Sequence, residues 1–179
     1  MSASDGTCDV AVIGGGLVGT SLAYELVAMG ADVVLVDEHH PGRATDAGAG
    51  ILSPETTWNP DEGWFAFGRM AAAHYRELVQ ALEADGAGDT GFAPCGLLMV
   101  AVDPGEDDWF ATRAELALGR SPDTLTEVTP DEARKAFPPL GPVRRAVHNP
   151  AAARVDGRLM TAAVLHGAER RGLRPRADP

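Results

Sequence analysis

Three glycines and one aspartate have the residue types and the spacing needed to bind a nucleotide. Gly14, Gly16 and Gly19 form a G-x-G-x-x-G pattern, and Asp37 follows further along the chain. In this pattern the first glycine permits a tight turn, the second lets the backbone approach a pyrophosphate, and the third lets a helix pack closely on a strand. A carboxylate after the next strand accepts hydrogen bonds from the ribose hydroxyls of an adenosine. These residues therefore predict a dinucleotide site.

Two apolar runs and a helix between them would hold these residues in place. Residues 10–13 predict a buried parallel strand, and residues 33–36 predict a second one. Between the two strands, the i, i+4, i+8 spacing of Val18, Leu22 and Leu26 favours a helix that packs through this face. The segment is therefore a predicted βαβ unit.

The start of this helix is the predicted anion site. Its first N–H groups have no partner within the helix, and the helix dipole is positive at this end. Leu17 and Val18, together with the three glycines, would therefore hold a pyrophosphate without a lysine or an arginine. Asp37 would also repel a 2′-phosphate, which disfavours NADP.

A stretch of small residues follows the second strand and shows no periodicity. Residues 47–50 carry few side-chain atoms, as a backbone must if it passes edge-on against a flat ring system. No capping, turn or core-packing purpose for them is evident. Arg43 adds a cation and Thr45 a hydroxyl near the expected pyrophosphate. The composition is equally consistent with a flexible surface loop.

The βαβ unit and the segment after it carry a family resemblance. Residues 43–54 read Arg-Ala-Thr-Asp-Ala-Gly-Ala-Gly-Ile-Leu-Ser-Pro. Together with the glycine pattern, they resemble the N-terminal part of the D-amino acid oxidase family of flavoenzymes, which includes glycine oxidase and sarcosine oxidase. The resemblance implies FAD as the cofactor.

The same resemblance assigns roles to individual residues. It implies that Asp37 binds the adenosine ribose and that Thr45 reaches the phosphates. It also implies that Ala49, Gly50 and Ile51 lie along the isoalloxazine ring. No catalytic residue is assigned, because a flavin carries the hydride chemistry itself.

The rest of the chain predicts an α+β portion inserted into a Rossmann-like α/β fold. Helices are expected over 64–84, 106–118 and 156–171, and strands over 96–102 and 143–148. Helix 64–84 is expected to pack through a face that consists of Phe67, Ala71, His74, Leu78 and Ala81. Residues 129–132 form a capping box.

We therefore expect three segments along the chain. Residues 1–55 would form the FAD-binding βαβ unit and the flavin-contacting loop, and residues 56–155 a helical segment with a partial antiparallel substrate domain. Residues 156–179 would return a helix to the FAD-binding domain. The chain ends where a third strand of the nucleotide sheet should begin, so the sheet is expected to be truncated.

Composition excludes several classes of function. A net charge of −11 disfavours nucleic acid as a partner. No apolar run reaches the roughly 20 residues of a membrane span, and the first residues do not resemble a signal peptide, so we expect a cytoplasmic protein. No histidine or cysteine has metal-ligand spacing.

The function expected from these features is FAD-dependent oxidation of a C–N bond in an amino acid or a secondary amine, by hydride transfer to the flavin. Two alternatives remain open: an NAD-dependent dehydrogenase, and a nucleotide-binding subunit or remnant without catalysis. Members of the resembled family are longer, so this chain would be an N-terminal portion or would need a completing subunit. We therefore expect the isolated chain to be inactive.

Overall fold

The structure is a computed structural model that describes residues 7–177. Single 3-10 turns at Pro54–Thr56 and Pro104–Glu106 accompany the helices and strands. The helices and strands are, in chain order, β1 (Val10–Ile13), α1 (Leu17–Ala28), β2 (Val33–Asp37), α2 (Ala44–Ala47), β3 (Ile51–Leu52), α3 (Glu62–Ala84), β4 (Ala93–Pro94), β5 (Leu97–Ala101), α4 (Asp107–Arg120), β6 (Thr126–Val128), α5 (Pro130–Ala136), β7 (Arg145–Asn149), β8 (Ala153–Arg154), α6 (Gly157–Arg170) and β9 (Arg174–Ala177).

The described residues divide into two compact units. Residues 7–50, 77–92 and 155–177 form the first unit, and residues 51–76 and 93–154 form the second. The chain therefore leaves the first unit and returns to it twice. No helix among residues 7–177 has both the length and the apolar character needed to span a membrane.

The first unit contains a parallel sheet with the strand order β1-β2-β9. Val10 pairs with Val33 in the register of β1 and β2, which confirms both predicted strands. Val34 pairs with Arg174, so β9 adds a third strand, and the expectation that the chain ends before this strand is wrong. Residues 174–177 read Arg-Pro-Arg-Ala, which lacks the apolar pattern of a parallel strand.

The buried face of α1 differs from the predicted one. Val18 is 85% exposed and Leu22 is 50% exposed, whereas Ala23 and Tyr24 are buried. Helix α1 has apolar residues on most of its circumference, so their spacing predicts a helix but not which side packs. Strand β1 is likewise buried on one side only, since Ile13 is 87% exposed.

The tight contact between α1 and α6 explains which face of α1 is buried. A Cβ on Gly167 would lie 2.9 Å from Cδ2 of Leu82 and 3.0 Å from Cε2 of Tyr24. The Tyr24 hydroxyl donates to Oδ2 of Asp85 at 2.9 Å, and Nε of Arg171 donates to the same oxygen at 2.8 Å. Burial, together with this hydrogen bond, raises the pKa of Tyr24 to about 12. Residues from three parts of the chain thus fix α1 in place.

The second unit contains two three-stranded antiparallel sheets, β3-β8-β4 and β5-β7-β6. The pairing of β5 with β7 confirms the small antiparallel sheet predicted from the sequence. Helix α5 begins at the predicted capping box, in which Thr129 and Glu132 bond reciprocally. The buried cluster of this unit consists of Ala101, Phe110, Ala114, Ala117, Leu125 and Val147.

Helix α3 confirms its predicted position, but its predicted packing face is only partly buried. Leu78 of that face is buried, whereas Phe67 is 64% exposed and His74 is also exposed. Phe65 and Leu82, outside the predicted face, are buried as well. The apolar residues of α3 cover more than one side of the helix, so two faces compete in the sequence pattern. Only the elements that surround α3 decide between them.

Candidate functional site

The turn between β1 and α1 has the backbone geometry that the glycine pattern predicts. Gly14 has a φ of +102°, a conformation that side chains disfavour, and its N–H donates to the carbonyl oxygen of Val36 at 2.8 Å. A Cβ on Gly19 would overlap the carbonyl oxygen of Gly14. The first glycine is therefore required by the turn, and the third is required by the packing of α1 against this turn.

Gly15 has a structural role that the sequence analysis missed. A Cβ at this position would lie 2.8 Å from Cγ of Asp37. The Gly15 N–H also donates a hydrogen bond to the Asp37 carboxylate. The run of three consecutive glycines is the signal in the sequence that could have revealed this role. The G-x-G-x-x-G pattern allows any residue at the middle position of that run, which is Gly15.

The carboxylate of Asp37 is held by several donors at the end of β2. Arg43 places Nη2 2.6 Å from Oδ2 of Asp37 and also donates from Nη1 to the carbonyl oxygen of Gly15 at 3.3 Å. Nδ1 of His39 lies 3.5 Å from the same carboxylate oxygen. The hydrogen bond from Gly15, with smaller effects of Arg43 and His39, lowers the pKa of Asp37. Asp37 is therefore an ionised acceptor at neutral pH.

Thr45 lies at the N-terminus of α1. The N–H of Leu17, the first helical residue, donates to Oγ1 of Thr45 at 3.1 Å. A Cβ on Gly16 would lie 3.2 Å from this hydroxyl oxygen, so the second glycine leaves room for Thr45. The hydroxyl that the resemblance places near the phosphates thus lies where an anion would meet the helix dipole.

Two cavities of the first unit share Gly15, Asp37, Arg43 and Thr45. The first, of about 600 Å³, is also lined by β1 and by residues 14–19, so it collects every predicted phosphate and ribose residue. The second, of about 330 Å³, is closed by the α6 side chains Arg158, Thr161 and Leu165 and by Leu35 and His39. Volumes of this size are typical of ligand sites.

The α6 residues at this site had no signal in the sequence. They lie more than one hundred positions after Asp37, and only the return of the chain to the first unit brings them to the cavity. By contrast, the glycines of the pattern, Leu17 and Val18 all lie in the turn between β1 and α1 or in the first turns of α1.

The segment assigned to the ring by resemblance lies outside both cavities. Ala49 is exposed, and Ile51 is 63% exposed. Gly50 has a φ of +66°, and a Cβ there would overlap the carbonyl oxygen of Val155. Its carbonyl also accepts a hydrogen bond from the Val155 N–H at 2.9 Å. The expectation that these small residues have no packing purpose is therefore wrong for Gly50.

The sequence matches a known family of proteins over most of its length. Residues 9–178 match the family described as DAO, FAD dependent oxidoreductase. The uncharacterised oxidoreductase YurR of Bacillus subtilis is 35% identical over 163 residues, which cover 90% of this chain and 44% of that protein.

Solved structures show the same likeness. The iminodiacetate oxidase of Chelativorans sp. BNC1 matches with a TM-score of 0.82 and 36% identity, over 94% of this chain and 46% of that one. The glycine oxidase of Bacillus cereus matches with a TM-score of 0.84 and 26% identity, over 96% of this chain and 47% of that one. The chain thus spans less than half the length of the proteins it matches.

Proposed function

Because the chain belongs to the DAO family of FAD-dependent oxidoreductases, we propose that it is the FAD-binding part of an enzyme that oxidises the C–N bond of an amino acid or a secondary amine. The family match over nearly the whole chain is the observation that carries this proposal. The iminodiacetate oxidase and glycine oxidase to which the chain is similar support the class of substrate.

The phosphate and ribose residues fit FAD in their chemistry. The glycine turn leaves the N-terminus of α1 open to a pyrophosphate, with Gly14, Gly16, Leu17, Val18 and Gly19 around it. Asp37 is an ionised acceptor for ribose hydroxyls, and Thr45 offers a hydroxyl to the phosphates. Arg43 holds the Asp37 carboxylate in place and leaves its second oxygen for the ligand.

The segment after α2 would hold the flavin ring. We assign Ala49, Gly50 and Ile51 to this contact, and the exposure of Ala49 and Ile51 supports it. Bound FAD supplies the hydride acceptor, while the protein orients the substrate and the ring. Residues 1–55, 56–155 and 156–179 keep the roles of FAD unit, substrate-domain portion and returning helix as part of this proposal.

A nucleotide-binding subunit without catalysis is the second candidate. It is favoured by the coverage, since the chain spans 44% of YurR and 46% of the iminodiacetate oxidase. In either case a completing polypeptide, supplied by a longer chain or by a partner, would provide the remaining contacts to the substrate.

A titration of the chain with FAD tests the proposal. Flavin fluorescence should show saturable binding of FAD. ADP should compete with FAD for the site, and FMN should not. Gly16→Val should abolish it, because the larger side chain would fill the space of the pyrophosphate and crowd Thr45. Gly141→Val is a matched control, since nothing lies within 4 Å of a Cβ at Gly141. Equal titrations of the two variants would contradict the assignment.

A further inference from the structure

The second unit contains a cavity that has no role in the site described above. Its volume is about 330 Å³, and it lies between the segment that begins at Ile51 and one face of α3. The lining residues that matter for its chemistry are Ile51, Pro54, Trp58, Trp64, Gly68 and Ala72.

The lining carries no charged side chain. The hydroxyl groups of the segment after Leu52 already have partners. Oγ of Ser53 lies 2.9 Å from Oγ1 of Thr56 and accepts from Nδ2 of Asn149 at 2.9 Å. Oγ1 of Thr57 accepts from the Asn59 N–H at 3.3 Å. A charged group in this cavity would contact apolar and aromatic surface and would find no ionic partner in the lining, which is unfavourable. The cavity therefore suits an uncharged ligand group.

Aromatic side chains form part of the walls of the cavity. Trp58, which is 68% exposed, has the Arg113 guanidinium 5.3 Å from its ring centre, and the same guanidinium lies 4.6 Å from the ring centre of Trp109. On the opposite side, a Cβ on Gly68 would lie 3.2 Å from Cβ of Pro54. Glycine at this position therefore allows α3 to lie close to Pro54 at the cavity.

We propose that this cavity is a subsite for an uncharged aromatic group, such as a benzyl group, carried by the amine or amino-acid substrate. The proposal rests on the proposed function, because Ile51 belongs both to the cavity lining and to the segment assigned to the flavin ring. The aromatic walls favour a planar ring, and a volume of about 330 Å³ accommodates one together with the atoms that link it to the amine.

Benzyl alcohol is a suitable neutral probe, and the three tryptophans of the chain report on it. We expect it to shift the indole N–H signals of Trp58 and Trp64 in a two-dimensional NMR titration more than that of Trp109, which is not part of the lining. Benzoate, the charged analogue, should bind about tenfold more weakly, which corresponds to about 1.4 kcal/mol.

Ala72→Leu and Ala73→Leu form a matched pair of variants on α3. Ala72 lines the cavity, whereas the neighbouring Ala73 is exposed and does not line it. Ala72→Leu should weaken benzyl alcohol binding by about tenfold and Ala73→Leu by less than about twofold. If Ala72→Leu fails to fold, Trp58→Ala removes one exposed wall instead and should weaken binding similarly.

The substrate assignment is tested on the same signals with N-benzylglycine and sarcosine, which differ only in the N-substituent. N-benzylglycine should bind about tenfold more tightly. Equal affinities, equal effects of the two α3 variants, or the absence of a shift at Trp58 and Trp64 would each overturn the proposal. FAD titration of the same sample separates the two ideas: FAD binding without benzyl alcohol binding overturns the subsite alone, and the reverse overturns the proposed function.

Discussion

Asp37 accepts hydrogen bonds from the backbone of Gly15 and from Arg43, and it still faces both cavities of the first unit. Its neighbours hold it in one orientation before any ligand arrives. Such preorganisation lowers the cost of ordering the site when a ribose binds. The middle glycine of the turn contributes as directly as the glycines of the pattern, because Asp37 packs against it.

Replacement of Asp37 should weaken FAD binding. Asp37→Ala removes the acceptor for the ribose hydroxyls, and we expect a loss of about 1 to 3 kcal/mol of binding free energy, the range for hydrogen bonds to a charged group. Asp123→Ala, an exposed acid of the second unit, is the control and should leave the affinity unchanged. Isothermal titration of both variants measures the difference.

The pH dependence of the same interaction has a definite sign. Because the pKa of Asp37 is lowered, its carboxylate stays ionised as the pH falls from 7 through the ordinary Asp pKa of about 4. FAD affinity should therefore remain constant between pH 7 and about 5 and decline only below the ordinary pKa. A loss of affinity that is already complete above about pH 5 would contradict this assignment.

The proposed ring contact can be tested at a position that carries no packing role. Gly50→Leu is unsuitable, since any side chain there would strain the backbone against Val155. Ala49 is exposed, so Ala49→Leu should change the visible spectrum of bound flavin while the affinity for ADP stays the same. Ala28→Leu, an exposed site at the end of α1, is the control. An unchanged flavin spectrum would argue against ring contact.

At the scale of elements, the packing of α6 on α1 depends on the absence of a side chain. Tyr24 is fixed by its hydrogen bond to Asp85 and by Arg171, whose guanidinium lies 4.5 Å from the centre of its ring. It therefore cannot move away from a Cβ on Gly167. Helix α6 also provides Arg158, Thr161 and Leu165 to the second cavity of the first unit.

Two glycine-to-alanine variants separate packing from helix propensity. Gly167→Ala should lower the free energy of unfolding by about 1 to 2 kcal/mol, because the added methyl group overpacks a buried contact. Gly119→Ala in α4 meets nothing within 4 Å and should raise it by about 0.4 to 1 kcal/mol. Urea denaturation curves measure both. Stabilisation by Gly167→Ala would show that the helices can separate.

At the scale of the whole molecule, the first unit exposes an apolar edge. Ile13 on β1 and Val18 and Leu22 on α1 are all at least half exposed, and β1 pairs with a strand on one side only among the described residues. An uncovered parallel strand has unpaired backbone groups and tends to associate with other chains. A few hundred Å² of such surface is comparable in free energy to the stability margin of a domain.

The isolated chain is therefore expected to self-associate, to retain FAD weakly and to lack amine oxidation. Gel filtration with absorbance at flavin wavelengths checks the first two points, and a peroxide assay with an amine checks the third. Ile13→Ser combined with Leu22→Gln should reduce association, whereas Met29→Gln, at an 82% exposed residue outside this edge, should not. A monomer with stoichiometric FAD and steady amine-dependent peroxide production would contradict this expectation.

Features set by neighbouring residues could be predicted from the sequence alone. The glycine turn and the strands at 10–13 and 33–36 follow from short runs of glycines and of apolar residues, and the capping box of α5 from residues three positions apart. The family resemblance rests on the same local segments. Local backbone geometry and short-range hydrogen bonds leave a readable pattern in residue type and spacing.

Only the tertiary structure decided what depends on distant residues. Which face of α1 is buried is determined by Gly167 and Tyr24, and the constraint on Gly50 comes from Val155. The pairing of β9 with β2, and the α6 residues that line the second cavity of the first unit, likewise join segments that lie more than one hundred positions apart. Contacts at large sequence separation are selected by the shape of the surrounding elements, and a helix that is apolar on several sides does not reveal which of its sides they will cover.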